Sequence, residues 1–243
     1  MEKVMLQFDK FNAIVLGASL IAGLSSLGYL LGDAAIRYKG YERTVTVKGL
    51  SEREYEADVV IWPIQFSAAS NDLGALYRSV DSSTAKIKRF LETAGIAADD
   101  ISFSAPAITD RSAQQYANPV KAEFRYAASQ TVTVYSENVE VVRKVMGKMS
   151  DLGKQGIAFT GGNYESPTEY IFTRLNEVKP EMIEEATRKA REVAEKFASD
   201  SASSLGKIRT ASQGQFSISA RDKNNPHIKK IRVVSTVAYY LSD

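Results

Sequence analysis

The chain has 243 residues, 44% of them hydrophobic and 25% charged, and its 31 Lys and Arg against 29 Asp and Glu leave a net charge of +2. That balance, with no basic cluster interleaved with aromatics, gives no footing for nucleic-acid binding. Cysteine is absent and His227 is the one histidine. Disulfides, thiol catalysis and Cys-ligated metals are therefore excluded, and a Ser-His-Asp triad would depend on that single ring.

Residues 1–10 are a short stub before 11–32 (FNAIVLGASLIAGLSSLGYLLG), a span without a charge between Lys10 and Asp33. Its 22 residues at ~1.5 Å each reach roughly 33 Å, enough for a ~30 Å hydrocarbon core. Retained anchor, cleaved signal and buried core helix all remain open, and the pattern favours the anchor. The apolar run exceeds a usual signal h-region, an acid stands where a cleavage site wants a small residue, and the span is apolar on every side. Ala18/Ala22 and Gly28/Gly32 have small-xxx-small spacing, which lets helices approach closely in lipid and also arises by chance in so Gly- and Ala-rich a span. Lys3 and Lys10 on one flank, against Arg37, Lys39 and Arg43 on the other, leave the orientation open, because long domains translocate largely regardless of charge.

Residues 33–42 read as a polar linker. A strand is expected over 43–50 and another over 54–67, where Pro63 argues for an edge or a bulge. Trp62 in that strand suits packing better than ligand binding. Asn71 or Asp72 caps a helix to Ala94 with Leu73, Leu76, Tyr77, Val80, Thr84, Ile87, Leu91 and Ala94 on one stripe, and Gly95 closes it. Strands follow over 101–110 and 121–135, with a polar loop over 111–119 between them. Asn138 caps a helix over 138–151. Residues 153–167 are Gly-rich, with a short strand over 157–160 and a turn at Gly161-Gly162, and 168–175 is a strand. Pro180 opens the longest soluble helix, which carries Met182, Ile183, Ala186, Ala190, Val193, Ala194, Phe197, Ser201 and Leu205 inward and ends at Gly206. Its other face pairs Glu184/Arg188, Glu185/Lys189, Arg191/Glu195 and Glu192/Lys196 in solvent. Strands over 207–219 and 229–241 end the chain, separated by a charged, exposed loop over 221–227. The last strand is apolar on both faces, as a central or interface strand would be.

The order of the middle elements is βαββαβ, the split-βαβ arrangement. The expected fold is α+β: an N-terminal transmembrane helix, then a ferredoxin-like βαββαβ unit packed with a second small α/β layer. The subdomains fall at about 51–176, and at 43–50 plus 177–243.

No catalytic, cofactor-binding or metal-binding residue stands out. Asp99-Asp100 sits in a turn, and Glu184-Glu185 points two ways from adjacent helix positions, so neither makes an acid/base pair. There is no G-x-S-x-G. Gly161-Gly162 lacks a phosphate-loop context. His227 reads as a solvated loop residue. The Tyr- and Gly-rich 161–172 stretch is the one feature suggesting a ligand.

Several segments in order resemble the SIMPL-domain (YggE-like) bacterial proteins. They are Val45-Thr-Val-Lys-Gly49, Ala57-Asp58, the run from Leu91 through Ala94-Gly95-Ile96 to Ile101, Tyr126 with Thr131-Val-Thr-Val134, the helix 184–205, and Lys230-Ile-Arg-Val-Val234. The resemblance covers most of 43–242, although 153–167 looks longer than the usual connection. It implies a cell-envelope protein exported across the bacterial inner membrane and lying in the periplasm. It also implies self-association into ring-like homo-oligomers, a loose link to envelope or oxidative stress, and no established catalytic residues or cofactor. A periplasmic small-ligand or partner-binding module is the alternative. The two long strands, 123–135 and 229–241, are where subunits are expected to join.

Overall fold

The structure, a computed structural model, describes residues 2–40, 43–114, 123–160 and 167–242. The chain opens with α1 (Glu2–Gly40), a single helix. Its Asn12–Lys39 stretch is long and apolar enough to cross a membrane, with a mean hydropathy of 1.9 and no part of it buried. The helix does not stop at Gly32. It continues through 33–40, where Asp33 and Arg37 pair one turn apart at 2.9 Å. The polar linker expected there is helical because its Ala, Arg and Lys are good helix formers, and Arg37 and Lys39 suit a helix C-terminus.

The remaining elements are β1 (Thr44–Glu56), β2 (Val59–Ser70), α2 (Leu73–Thr93), β3 (Ile101–Phe103), β4 (Ala107–Asp110), β5 (Tyr126–Ser136), α3 (Val139–Met146), α4 (Ser150–Gly153), β6 (Ala158–Phe159), β7 (Glu169–Ile171), α5 (Leu175–Asp200), β8 (Ser204–Gln213), β9 (Ser217–Ala220) and β10 (Ile228–Ser242). They divide into two compact units. One comprises Met1–Ser51, Glu181–Phe216 and Val233–Asp243, the other Glu52–Pro180 and Ser217–Arg232.

In the larger unit, β2 and β5 form an antiparallel pair without a register shift, from Val60↔Ser136 to Ser70↔Tyr126. β3 and β4 add to β5, and β6 and β7 add to β2. Alternate residues of β2 (Val60, Trp62, Ile64, Phe66) meet Leu76, Val80, Ile87 and Leu91 of α2, Val142 and Val145 of α3, and Leu152 of α4. Strand period and helix period thus meet on one apolar layer. Asp72 caps α2 by accepting the Ala75 N–H at 2.6 Å, and Gly95 closes it with a φ of +95°. Asn138 caps α3 through the Val141 N–H at 3.2 Å.

Three expectations are corrected here. β2 is not an edge strand: β7 takes 59–61 and β6 takes 66–67, so Pro63, which has no N–H for a ladder, falls between them. The 101–110 strand is broken into β3 and β4 at Ser104-Ala105-Pro106, where the proline again cannot donate. The strand expected over 168–175 ends at Ile171 because Leu175 already begins α5.

In the smaller unit, β8 pairs antiparallel with β10, with irregularities either side of Tyr239. β10 lies between β1 and β8. One face of this sheet packs on α5 through Val47, Val237, Tyr239, Ala190 and Ala194. The buried line of α5 is Met182, Ala186, Ala190, Ala194 and Ala198. Val193 and Phe197, expected inside, are 40% and 56% exposed. The cause is the closeness of helix and strand: a Cβ on Gly49 would run into the backbone of Ala186 and Ala190. Beside Gly49 only alanine fits on the helix, so the bulkier pair lies on the flank.

α5 also differs at both ends. It begins ahead of Pro180, which lies inside it. It stops well before Gly206: Ala202 takes a φ of +52°, while the Ser203 N–H reaches the Ala198 carbonyl at 2.8 Å and the Ala202 N–H reaches Ser199 at 3.1 Å. This is a glycine-type helix stop made by alanine. Leu205 and Gly206 belong to β8, where Leu205 pairs with Leu241.

Candidate functional site

The smaller unit offers two features that neither the core nor the chain's own pairing uses. First, β1 and β8 are the two ends of their sheet. β8 is exposed along nearly its whole length, so its outer N–H and C=O groups stand as a strand edge. Second, a groove of about 880 Å³ lies between α5 and β8, lined by Glu184, Thr187, Arg188, Arg191, Leu205, Gly206, Lys207, Ile208 and Tyr239.

The side chains of the groove follow from local structure. Glu184, Thr187, Arg188 and Arg191 fall on one flank of α5 at helical spacing, beside the buried alanine line. Arg191 contacts Glu195 at 2.9 Å and Arg188 approaches Glu192 at 3.9 Å, both exposed pairs. Tyr239 points to the helix-covered face of β10 and is 4% exposed. Burial raises the pKa of its phenol, with Arg191 acting in the opposite sense.

The larger unit holds a second polar constellation, at the start of β2. Asp58 accepts the Thr173 N–H at 2.8 Å and the Arg174 guanidinium at 3.1 Å. Burial pushes the Asp58 carboxyl up, but these donors outweigh it and its pKa lies below the ordinary value. Arg174 lies 5.6 Å over the Phe172 ring, which stacks on Tyr55 at 5.3 Å. The Asp58 N–H reaches the Ile171 carbonyl at 2.9 Å. The arrangement clasps the end of β7 and leaves the carboxylate fully engaged, which suits structure rather than proton transfer.

His227 belongs beside this clasp and not in solvent. It is 8% exposed, and its ring stands edge-on to Tyr170 at 6.0 Å. Its carbonyl accepts the Ala57 N–H at 2.8 Å. The preceding loop folds back because Asp222 accepts the N–H groups of Asn224 and Asn225 at 2.9 Å. Burial, then the charge of Arg143, lowers the imidazole pKa.

Other residues weighed from sequence fall as follows. Trp62 is buried in the core of the larger unit. Asp99 and Asp100 lie in a short 3-10 turn. Glu184 faces the groove, whereas Glu185 is not on a solvated face: its side chain is 16% exposed, accepting the Ser51 hydroxyl at 2.9 Å and pairing with Lys189 at 2.7 Å. Gly161-Gly162 lies outside the described residues. From the 161–172 stretch, Tyr170 is described, and its hydroxyl contacts the Met146 sulfur at 3.7 Å. Among the described residues, no three His, Asp or Glu converge as metal ligands would. The groove escaped the sequence pattern because its arginines read as one side of a solvated i,i+4 ladder. The strand beneath them, which makes the groove, begins at Ser204, inside the span that the sequence pattern assigns to the helix.

A family model, SIMPL, described as a protein of unknown function (DUF541), matches residues 45–236. No curated protein matches the chain.

Proposed function

The chain belongs to the SIMPL family, and from that premise we propose that it is a membrane-anchored, self-assembling, non-enzymatic protein of the bacterial cell envelope. In this reading α1 is retained in the inner membrane and the 43–243 region lies in the periplasm. Subunits join through sheet edges into a ring-like homo-oligomer, with a structural or stress-related role. The larger unit is read as ferredoxin-like. The strand order β3-β5-β2-β6, with antiparallel pairings throughout, supports that reading.

One observation carries the assembly: the smaller unit's sheet ends in two long strands, β1 and β8, with no strand beyond them among the described residues. An unprotected edge of that length is an aggregation hazard, and pairing it with another subunit removes the hazard. A repeated head-to-tail contact whose rotation closes gives a ring, and anchors held in one membrane raise the effective concentration for that contact. The strands first expected to join subunits do not support it. β5 lies between β3 and β2, and β10 lies between β1 and β8, so both are satisfied within one chain.

The envelope placement is tested with a C-terminal alkaline phosphatase fusion and the mass of the mature chain. The expected outcome is an active phosphatase and a mature mass that retains 11–32. An inactive phosphatase with an active cytoplasmic reporter at the same site reverses the orientation. A mature chain beginning near Ile36 makes the segment a signal peptide. A partner-binding module is the second reading, favoured by the groove between α5 and β8.

A further inference from the structure

We propose that the groove between α5 and β8 docks an extended segment of a partner protein, taken up as an added strand on the outer edge of β8 with an acidic side chain directed into the groove. Self-assembly is not a premise of this proposal; a subunit paired on β8 would compete with the peptide for the same edge, so the peptide binds chains whose β8 edge is free.

Four observations converge. β8 is the last strand of its sheet and is exposed over nearly its whole length, so it can hydrogen-bond a peptide backbone along one side. A helix runs beside that edge, and the space between them, about 880 Å³, accepts the alternate side chains of a strand added there. The lining is cationic: Arg188, Arg191 and Lys207 against Glu184. The two arginines are held by exposed same-helix partners at 3.9 and 2.9 Å, contacts that exchange readily for a better one. Lys207 has no ionic partner among the described residues.

Tyr239 supplies the fourth. It is 4% exposed and lines the groove, and its hydroxyl opens toward the groove rather than being sealed in the core. A hydroxyl at the groove wall can donate to an acceptor brought there, in exchange for water. An acceptor that is also negative, next to arginines that bind carboxylates in a fork, is an Asp or Glu side chain. A free anion would satisfy the charge without using the strand edge. Ile208, 49% exposed on the same strand, adds an apolar contact beside the carboxylate position.

The test is selection of a displayed library of random ten-residue peptides on the full chain in detergent. The expected result is saturable binders that share one Asp or Glu among β-branched residues. Asp→Asn in such a peptide weakens binding about ten-fold or more, and methylating alternate backbone nitrogens abolishes it. Arg191→Glu with Lys207→Glu weakens it at least ten-fold, and Tyr239→Phe weakens it several-fold with an unchanged thermal melt. Lys48→Glu, an exposed position on β1 outside the groove, leaves binding intact. The proposal is overturned if no saturable binder is recovered, if binders carry no acidic preference, or if the double variant binds them normally. It is also overturned if the double variant breaks a large particle into smaller ones, because a second copy then occupies the groove. Loss of peptide binding at unchanged particle mass leaves self-assembly standing, so the two ideas fail separately.

Discussion

Two residues show how much chemistry a single position carries. Gly49 stood in the sequence as part of a five-residue resemblance, with no physical reason attached. The structure supplies one: the helix backbone at Ala186 and Ala190 occupies the place of a side chain. Gly49→Ala is therefore expected to destabilise the protein by about 1–3 kcal/mol or more through overpacking, read from urea unfolding. An unchanged midpoint would mean that helix and strand are not in contact there. His227 reads in sequence as a solvated loop residue, and the fold buries it. Its neighbours Asn224, Asn225 and Pro226 have the composition of a solvated turn, and what buries the ring is Tyr170, far upstream. The folded-state pKa is lowered, with Arg143, Arg221, Glu56 and Asp222 as the charges acting on it. Above about pH 6.5 the ring is neutral in both states and costs nothing. As pH falls below that value the unfolded chain binds a proton that the folded chain refuses, so stability drops until the folded pKa is passed. Melting temperatures between pH 7.5 and 5 should fall more for the wild type than for His227→Phe. Parallel curves would contradict the buried, neutral ring. Asp58, whose lowered pKa acts below about pH 4, titrates outside that window.

Among the elements, α5 was the most legible in existence and the least in detail. Its period, its length and its charged outer face were plain in the sequence. Its first and last turns were not. Pro180 looked like a start because proline is favoured in a first turn, yet the helix begins at Leu175 and accommodates it. Gly206 looked like a stop because helices usually end on glycine, yet Ala202 takes the left-handed conformation instead. The sequence period suggests a broad apolar stripe on the inner face, whereas contact with Gly49 allows only a narrow line of alanines there. That line makes a sharp contrast between two positions. Ala190 is fully buried, so Ala190→Glu places a charge among apolar neighbours at a cost of several kcal/mol. Glu192 makes only a long, exposed pair with Arg188, so Glu192→Ala should cost under about 0.5 kcal/mol. Thermal melts displaced equally by the two variants would show that the helix is rotated from its described position.

For the whole molecule, the order of elements and the long apolar N-terminal helix were readable because both rest on local periodicity. Strand neighbours were not, because pairing joins residues far apart in sequence. Length alone marked the long strands β5 and β10 as candidates for subunit contacts, and sheet order places both inside their sheets. The strands left with an open outer edge are β1, whose hydrophobic alternation is partly plain in the sequence, and β8, whose exposed and polar pattern carries little strand signal. The central claim, self-assembly through these edges, is tested most directly by particle mass. Mass photometry is applied to the full chain in mild detergent and to residues 40–243 without it. Edge-to-edge assembly predicts a large particle of one defined mass in both preparations. A monomer in both at micromolar concentration would contradict it.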